Sequence, residues 1–200
     1  YSKSSSHPFG TLENVFAMKK RIDLMLLVTA CAFLLFSCTE EQNFDQIDDL
    51  TVTPTLATPL FYVESDEQTI NNSVTTTTFY TQTVDFEVFS ETYVAERLLE
   101  GTITYAIDNT TSKNLFLTIE FLDASGNVLD VESFNIEANL SETFIREVVY
   151  GPGGKSLDIL TATTQLRITA TNLGNTTSTS TNADPKIELG SAAEFLFQLK

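Results

Sequence analysis

From residue 60 onward, apolar and polar positions alternate along the sequence with the period of two that half-buried β-strands require. Turn-forming residues such as Gly, Pro, Asn and Asp separate the alternating runs. No part of this region sustains the 3.6-residue period of a long amphipathic helix. The pattern predicts about eight short strands, at residues 60–64, 80–89, 102–108, 114–123, 128–137, 143–150, 165–172 and 186–200.

The predicted strands have definite inward faces, because their apolar residues occupy alternate positions. In residues 128–137 the apolar positions change parity between Val131 and Phe134, which predicts a β-bulge at that point. The residues expected to face the core are Val84, Phe86, Val88, Ile103, Tyr105, Ile107, Leu115, Leu117, Ile119, Phe121, Ile187, Leu189, Ala193, Phe195, Phe197 and Leu199.

Two kinds of local signal connect the strands. Residues 123–127 (DASGN) predict a hairpin loop in which Gly126 supplies a positive φ. Residues 90–99 could hold a helical turn capped by Ser90, and residues 156–160 could form a second short helix between strands.

These elements together predict an all-β protein, an antiparallel β-sandwich of about eight strands formed by residues 58–200. In strand count and hairpin spacing the predicted sandwich resembles immunoglobulin-like modules, although it lacks their Cys…Trp…Cys core. That resemblance is one of architecture and implies no activity.

The segment before the strands has a different pattern. Lys19, Lys20 and Arg21 form a positively charged cluster, and an apolar run follows at residues 24–36. The run is shorter than the roughly 20 residues that a membrane-spanning helix needs, and it has no polar face. Charge, length and apolar character are those of a secretory signal peptide at residues 18–37, so residues 1–17 are expected to lie outside the functional protein.

The end of this segment reads Leu35, Phe36, Ser37 and Cys38. It resembles the lipobox of bacterial lipoproteins, in which an aliphatic residue, a small residue and a cysteine occupy fixed positions. The resemblance implies that Cys38 becomes the lipidated N-terminus, carrying a diacylglycerol thioether and usually an amide-linked acyl chain. Two or three acyl chains hold a protein stably on a membrane.

Residues 38–57 are acidic and then rich in Thr and Pro, which predicts a flexible tether. Glu40 and Glu41 resemble the surface-export signals of some Bacteroidetes lipoproteins, and the remaining sequence resembles a class of flavobacterial cell-surface lipoproteins. These resemblances imply attachment to the outer membrane through the lipid anchor, facing the cell exterior.

Charge excludes one class of partner. The formal net charge is −16, and it becomes −18 without residues 1–37, which carry four basic and two acidic residues. Nucleic acid is therefore not an expected partner, because binding it depends on Lys and Arg contacts to phosphate. The simplest interpretation of the charge is that it keeps a surface protein soluble.

The chain has one histidine, His7, and two cysteines, Cys31 and Cys38. On the lipoprotein interpretation, processing removes His7 and Cys31 and acylates Cys38. A chain without His or free Cys can build neither a Ser-His-Asp nor a Cys-His site, nor a His-based zinc site. Paired carboxylates of the glycosidase type are the acid–base machinery that remains.

Two further motifs invite ligand hypotheses. Residues 151–156 (GPGGKS) approach the phosphate-binding pattern GxxxxGK[ST], but Val149 occupies the position of the first glycine, so a strand-to-strand loop is the better interpretation. Asp108, Asn109 and residues 123–127 offer oxygen atoms that calcium could use, yet turn chemistry accounts for them better. No cofactor and no metal is predicted.

The sequence thus predicts a membrane-anchored envelope lipoprotein that acts as a non-catalytic binding or assembly module, with an envelope protein or a glycan as partner. One alternative is a glycan-binding accessory protein of a polysaccharide uptake system, and a remote alternative is a carboxylate-dependent glycosidase. Residues 71–78 and 174–185 are rich in Thr, Ser and Asn, and they are either solvated connectors or partner-binding loop tips.

Overall fold

The computed structural model describes residues 18–27, 29, 51–73 and 77–199. Contacts divide the chain into two units, Tyr1–Asp49 and Leu50–Lys200. In the first unit, residues 18–27 are helical and exposed. Across the residues described, no helix is both long enough and apolar enough to cross a membrane.

The described residues of the second unit form eight strands, as the alternating pattern predicts, and three short helices, of which the first was not predicted. The strands are β1 (Thr55–Asp66), β2 (Thr78–Asp85), β3 (Leu98–Asn109), β4 (Leu115–Leu122), β5 (Val128–Ile136), β6 (Phe144–Tyr150), β7 (Gln165–Asn172) and β8 (Lys186–Phe197). The helices are α1 (Glu67–Asn72), α2 (Thr92–Ala95) and α3 (Leu157–Ala162).

The strands form two antiparallel four-stranded sheets. Sheet I has the order β1-β8-β3-β6, and sheet II has the order β2-β7-β4-β5. Among the described strands, β4 and β5 alone are consecutive in the chain and adjacent in a sheet; every other connection passes between the sheets. This is the strand order of a jelly roll. The predicted all-β antiparallel sandwich of about eight strands is confirmed, with jelly-roll rather than immunoglobulin connectivity.

The core lies between the sheets, where the alternate residues of each strand meet. Most residues predicted to face inward on β3, β4 and β8 are buried: Ile103, Tyr105, Ile107, Leu115, Leu117, Ile119, Phe121, Ile187, Leu189, Ala193, Phe195 and Phe197. Leu199 is instead exposed, beyond the end of β8. The ring centroids of Phe121 on β4 and Tyr150 on β6 lie 6.1 Å apart, so aromatic contacts cross the sandwich.

Several predicted boundaries differ from the structure, and three of them show why. The expected tether extends to residue 57, but β1 begins at Thr55 because β8 is long enough to pair with it from Leu196 onward. The second predicted strand ends at Asp85, since the Phe86 N–H donates to the carbonyl of Thr164 outside the ladder. Helix α2 is capped at Glu91 rather than Ser90.

The bulge predicted near Val131 lies earlier in β5. Phe121 pairs with Asp130 and Leu122 pairs with Val128, so Leu129 is the extra residue. The register beyond it places Glu132, Phe134 and Ile136 on the buried face and leaves Val131 exposed.

The local predictions for two connections are confirmed. Gly126 has a φ of 80° in the β4–β5 hairpin. Helix α3 begins after Ser156, whose hydroxyl accepts a hydrogen bond from the N–H of Asp158.

Candidate functional site

Strands β5 and β6 are the outermost strands of sheet II and sheet I on the same side of the sandwich. The side chain of Arg146 on β6 crosses the gap and donates to the carbonyl of Ser133 on β5, at 3.3 Å. This lateral opening between the sheets is here called the β5–β6 seam. Its charged residues are Asp130 and Glu132 on β5, Arg146 on β6 and Lys155 after β6.

A buried carboxylate lies at the centre of the seam. The side chain of Glu132 is 1% exposed, and it forms ion pairs with Arg146, at 2.9 Å, and with Lys155. Lys155 also contacts Asp130 at 2.5 Å. Burying an ion costs several kcal/mol in lost hydration, which partners recover only when the geometry is good. Two cations on one buried carboxylate therefore tie the outer strands of the two sheets together.

The glycine-rich loop after β6 places Lys155 in the seam. Gly151 and Gly153 have φ angles of 107° and 85°, a conformation that suits glycine. The Lys155 N–H then donates to the carbonyl of Val149 at 2.9 Å, so the loop turns back along the outer edge of β6. The loop connects β6 to α3, and its glycines position a cation.

Two buried tyrosines lie beside these charges. The Tyr150 hydroxyl is buried and has no hydrogen-bond partner among the described residues. Burial raises the pKa of Tyr150, and the nearby carboxylates of Asp130 and Glu132 raise it further. Burial also raises the pKa of Tyr105. Both phenols are therefore neutral and protonated at physiological pH.

The charged side chains of the seam form ion pairs with one another. Burial lowers the pKa of Lys155, but its hydrogen bonds to Asp130 and Glu132 outweigh that effect and raise it. Since each carboxylate already faces a cation, this arrangement is suited to holding the sheets together rather than to acid–base chemistry.

The outward faces of the same two strands carry exposed apolar residues. Ile145 is 63% exposed and Val131 is 45% exposed, and Val149 lies nearby on the outer face of β6. Exposed β-branched residues on an edge strand favour pairing with another chain unless they are protected. The β5–β6 side of the sandwich therefore combines an interior held by ion pairs with exposed apolar residues on its exterior.

A second candidate is an open cleft of about 500 Å³ at one end of the sandwich. Its lining combines the segment after β2, the β4–β5 hairpin and the connection from α3 to β7. The carboxylates of Asp85 and Glu87 line it, and the Gln165 amide donates to Asp85 at 3.2 Å. Phe86 and Phe89 also line it, although both side chains are almost entirely buried.

A third polar cluster anchors loops at one end of the sandwich. Lys113 and Glu67 are each 1% exposed and lie 3.7 Å apart. Lys113 also donates to the carbonyl of Thr177 at 2.8 Å, and Glu67 accepts from the N–H of Ser112 at 3.1 Å. Part of the loop at residues 174–185 is thus fixed against the fold rather than free in solvent.

The two segments whose oxygen atoms calcium could use engage those atoms within the fold. Asp123 accepts from the N–H groups of Ser125 and Asn127, at 2.8 and 2.9 Å. The side-chain oxygen of the buried Asn109 accepts from the N–H and the hydroxyl of Thr111, at 3.1 and 2.6 Å. Within the described residues, no group of three or more His, Cys, Asp or Glu side chains is placed to hold a metal ion.

The lipobox, the lipidation residue and the export signal predicted from the sequence all lie before the β-sandwich. Leu35, Phe36, Ser37 and Cys38, together with Glu40 and Glu41, lie outside the described residues. The seam residues were missed at the sequence level. A signal for them exists, because Glu132 has the same parity as Phe134 and Ile136, which marks it as an inward-facing charge.

No family model matches the sequence, and no curated protein matches it. Among solved structures, the chain is similar to the VP2 subviral particle protein of infectious bursal disease virus, with 9% identity and a TM-score of 0.35, over 74% of this chain and 33% of that protein. The chain thus spans about a third of the length of that protein.

Two other similar structures match over most of their own length. One is Desmodium yellow mottle tymovirus, with 9% identity and a TM-score of 0.33, over 76% of this chain and 89% of that one. The other comes from Bacillus endospore appendages, which form disulfide-linked pili, with 8% identity and a TM-score of 0.31, over 74% and 88% of the two chains. Scores this low assign neither function nor partner.

Proposed function

We propose that this protein is a membrane-anchored cell-envelope lipoprotein whose β-sandwich acts as a non-catalytic binding or assembly module. The anchoring part rests on the charged cluster, apolar run and lipobox-like residues that end at Cys38. The single observation that supports the binding part is the β5–β6 side of the sandwich. There, a buried carboxylate and its cation partners hold two outer strands that carry exposed apolar side chains on their outward faces.

The anchoring proposal is tested by replacing the predicted lipidation residue. Cys38→Ala should release the protein from membranes or leave it unprocessed, and it should lose incorporation of labelled palmitate. Cys31→Ala is the matched control, because it removes a cysteine of the predicted leader and should leave labelling and fractionation unchanged. A Cys38→Ala protein that stayed fully membrane-associated at wild-type size would reject the proposal.

The glycan-binding alternative is supported by the end cleft, where carboxylate and hydroxyl side chains line a cavity of about 500 Å³. Sugars present many hydroxyl groups, so such a lining can satisfy them with hydrogen bonds. A glycan array on the purified protein tests this alternative. Binding that Asp85→Ala or Glu87→Ala weakens would support it, and a negative result across the array would reject it.

A further inference from the structure

The outer edge of β6 is partly covered. The Lys155 N–H donates to the Val149 carbonyl at 2.9 Å, and the Gly151 N–H donates to the Lys155 carbonyl at 2.8 Å. Lys155 therefore forms an isolated parallel bridge with Tyr150, the last residue of β6, through its hydrogen bonds to Val149 and Gly151.

This contact also shows which backbone groups of β6 point outward. In an antiparallel ladder, residues of one parity pair with the neighbour on one side, and residues of the other parity point to the opposite side. Since the Val149 carbonyl points away from β3, the N–H and C=O groups of Ile145 and Glu147 do so too. In the described part of the chain, no backbone or side-chain group bonds to these four groups. The first half of β6 is thus an open strand edge.

The outward side chains along this edge follow a simple pattern. Ile145 and Val149 are exposed and apolar, and Glu147 lies between them. On the same face of sheet I, Glu147 pairs with Thr104 of β3, and Val149 pairs with Thr102 of β3. Thr102 in turn pairs with Glu194 of β8. A strand added to this edge would meet an apolar position at Ile145 and an acidic position at Glu147, because Lys155 already covers the edge at Val149.

The charges of β6 disfavour a second copy of this chain as the added strand. An antiparallel pair of two β6 strands centred on Glu147 would place the two Glu147 carboxylates opposite each other. Like charges directly opposite each other destabilise a strand pair. Each copy also has a formal net charge of −16, which opposes self-association.

We infer that the open edge of β6, at residues 144–148, binds an extended segment of a partner protein by strand addition, and that this segment carries a basic residue two positions from an apolar residue. Its backbone bonds to Ile145 and Glu147, its apolar side chain lies beside Ile145, and its basic side chain lies opposite Glu147. The inference deepens the proposed binding function and names its surface and its partner chemistry.

The experiment uses the full-length protein in detergent and a ten-residue peptide in which every second residue is in turn valine and lysine, with threonine between them, so that both residue types share one face of the added strand. The peptide should slow hydrogen exchange of the Ile145 and Glu147 amides at least tenfold. Glu147→Pro removes the outward N–H but leaves the ladder to β3 intact, and edge strands tolerate proline. It should weaken peptide binding at least tenfold, as measured by fluorescence anisotropy.

A charge reversal keeps the test independent of proline's effect on folding. Glu147→Lys should weaken binding of the valine–lysine peptide at least tenfold and should create binding of a valine–glutamate peptide. Glu96→Lys, at the exposed end of α2, makes the same charge change away from the edge and should leave both peptides unaffected.

Three results would overturn the inference: no binding of the valine–lysine peptide, protection of amides elsewhere on the chain, or binding that survives both Glu147 variants. Protection of the Ile145 and Glu147 amides that rises with protein concentration alone would identify a second copy as the occupant and would also overturn it. If Cys38→Ala releases the protein from membranes while the valine–lysine peptide does not bind, only the strand-addition surface is rejected.

Discussion

The carboxylate of Glu132 on β5 and the guanidinium of Arg146 on β6 lie 2.9 Å apart and join the outer strands of two different sheets. No backbone ladder connects these strands within the described residues, since each pairs only with a strand of its own sheet. Side-chain ion pairs therefore connect these two strands, as backbone hydrogen bonds connect neighbouring strands within each sheet.

Removing Glu132 should be among the most damaging single changes in the domain. Glu132→Ala removes the carboxylate that Arg146 and Lys155 share, and each hydrogen bond lost between charged groups costs about 1.5–3 kcal/mol. Urea unfolding followed by circular dichroism measures the loss.

Glu120→Ala is the matched control. Glu120 and Arg167 pair at 2.5 Å, but both side chains are partly exposed on the outer face of sheet II. An ion pair of this kind contributes less than about 1 kcal/mol. If the two variants lost the same free energy of unfolding, the seam would have no special part in holding the sheets together.

Alternation of apolar and polar residues determines how much of this structure the sequence predicts. A period of two identifies strands and their inward faces, so the cores of β3 and β4 are predictable from residues such as Ile103 and Leu117. It says nothing about which strands are neighbours. The hairpin at residues 123–127 has a strong turn sequence, and it makes the one described connection that stays within a sheet.

The candidate site was harder to predict because its central residue breaks the rule that charges face outward. Val131 and Glu132 are adjacent, and hydropathy favours burying the valine. The extra residue at Leu129 and the burial of Phe134 and Ile136 in the core place Glu132 on the inner face of β5 and Val131 on its outer face. Glu132 becomes buried because cations from β6 and its following loop are there to meet it, and that contact is not visible in local sequence.

Tyr150→Phe should stabilise the domain. The Tyr150 hydroxyl is buried without a hydrogen-bond partner among the described residues, and an unsatisfied buried polar group costs about 1–3 kcal/mol. The ring remains, so its contact with Phe121 is kept. We expect the free energy of unfolding to rise by about 1 kcal/mol, seen as a higher Tm in thermal unfolding.

Tyr62→Phe provides the comparison with a satisfied phenol. The Tyr62 hydroxyl lies 2.8 Å from the Glu64 carboxylate and 2.6 Å from the Glu188 carboxylate on the exposed face of sheet I, so its single proton has an acceptor on either side. Its loss should leave Tm unchanged or slightly lower. A drop in Tm for Tyr150→Phe as well would show that the buried hydroxyl has a partner after all.

Gly154→Ala should disturb the loop that carries Lys155. A Cβ at residue 154 would lie 2.1 Å from the carbonyl oxygen of Val149, which already accepts from Lys155. The loop must move to relieve this overlap, at a cost of about 1–3 kcal/mol. Gly190→Ala is the control, because a Cβ there meets nothing within 4 Å. Equal Tm values for the two variants would contradict the described loop path.

The stability of the domain should fall as the pH drops from about 5 to about 3. Burial raises the pKa of Glu67, but hydrogen bonds from Ser112 outweigh it and lower that pKa below its ordinary value of 4.5. Hydrogen bonds from Asn127 lower the pKa of Asp123 below 3.8. The unfolded chain therefore binds more protons than the folded one in this range. The resulting stabilisation is complete above the ordinary pKa values and is lost as the pH falls through the lowered ones.

Glu67→Gln separates this contribution from the rest of the chain. Glutamine cannot take up the proton, so the variant should be less stable than the wild type at pH 7, and its stability should change less between pH 5 and pH 3. Glu87→Gln, at an exposed position, is the control and should follow the wild-type curve. Urea unfolding midpoints of the wild type and both variants, measured at half-unit pH steps, test this prediction. A Glu67→Gln curve that stays parallel to the wild-type curve would mean that the buried carboxylate does not contribute to the acid sensitivity of the fold.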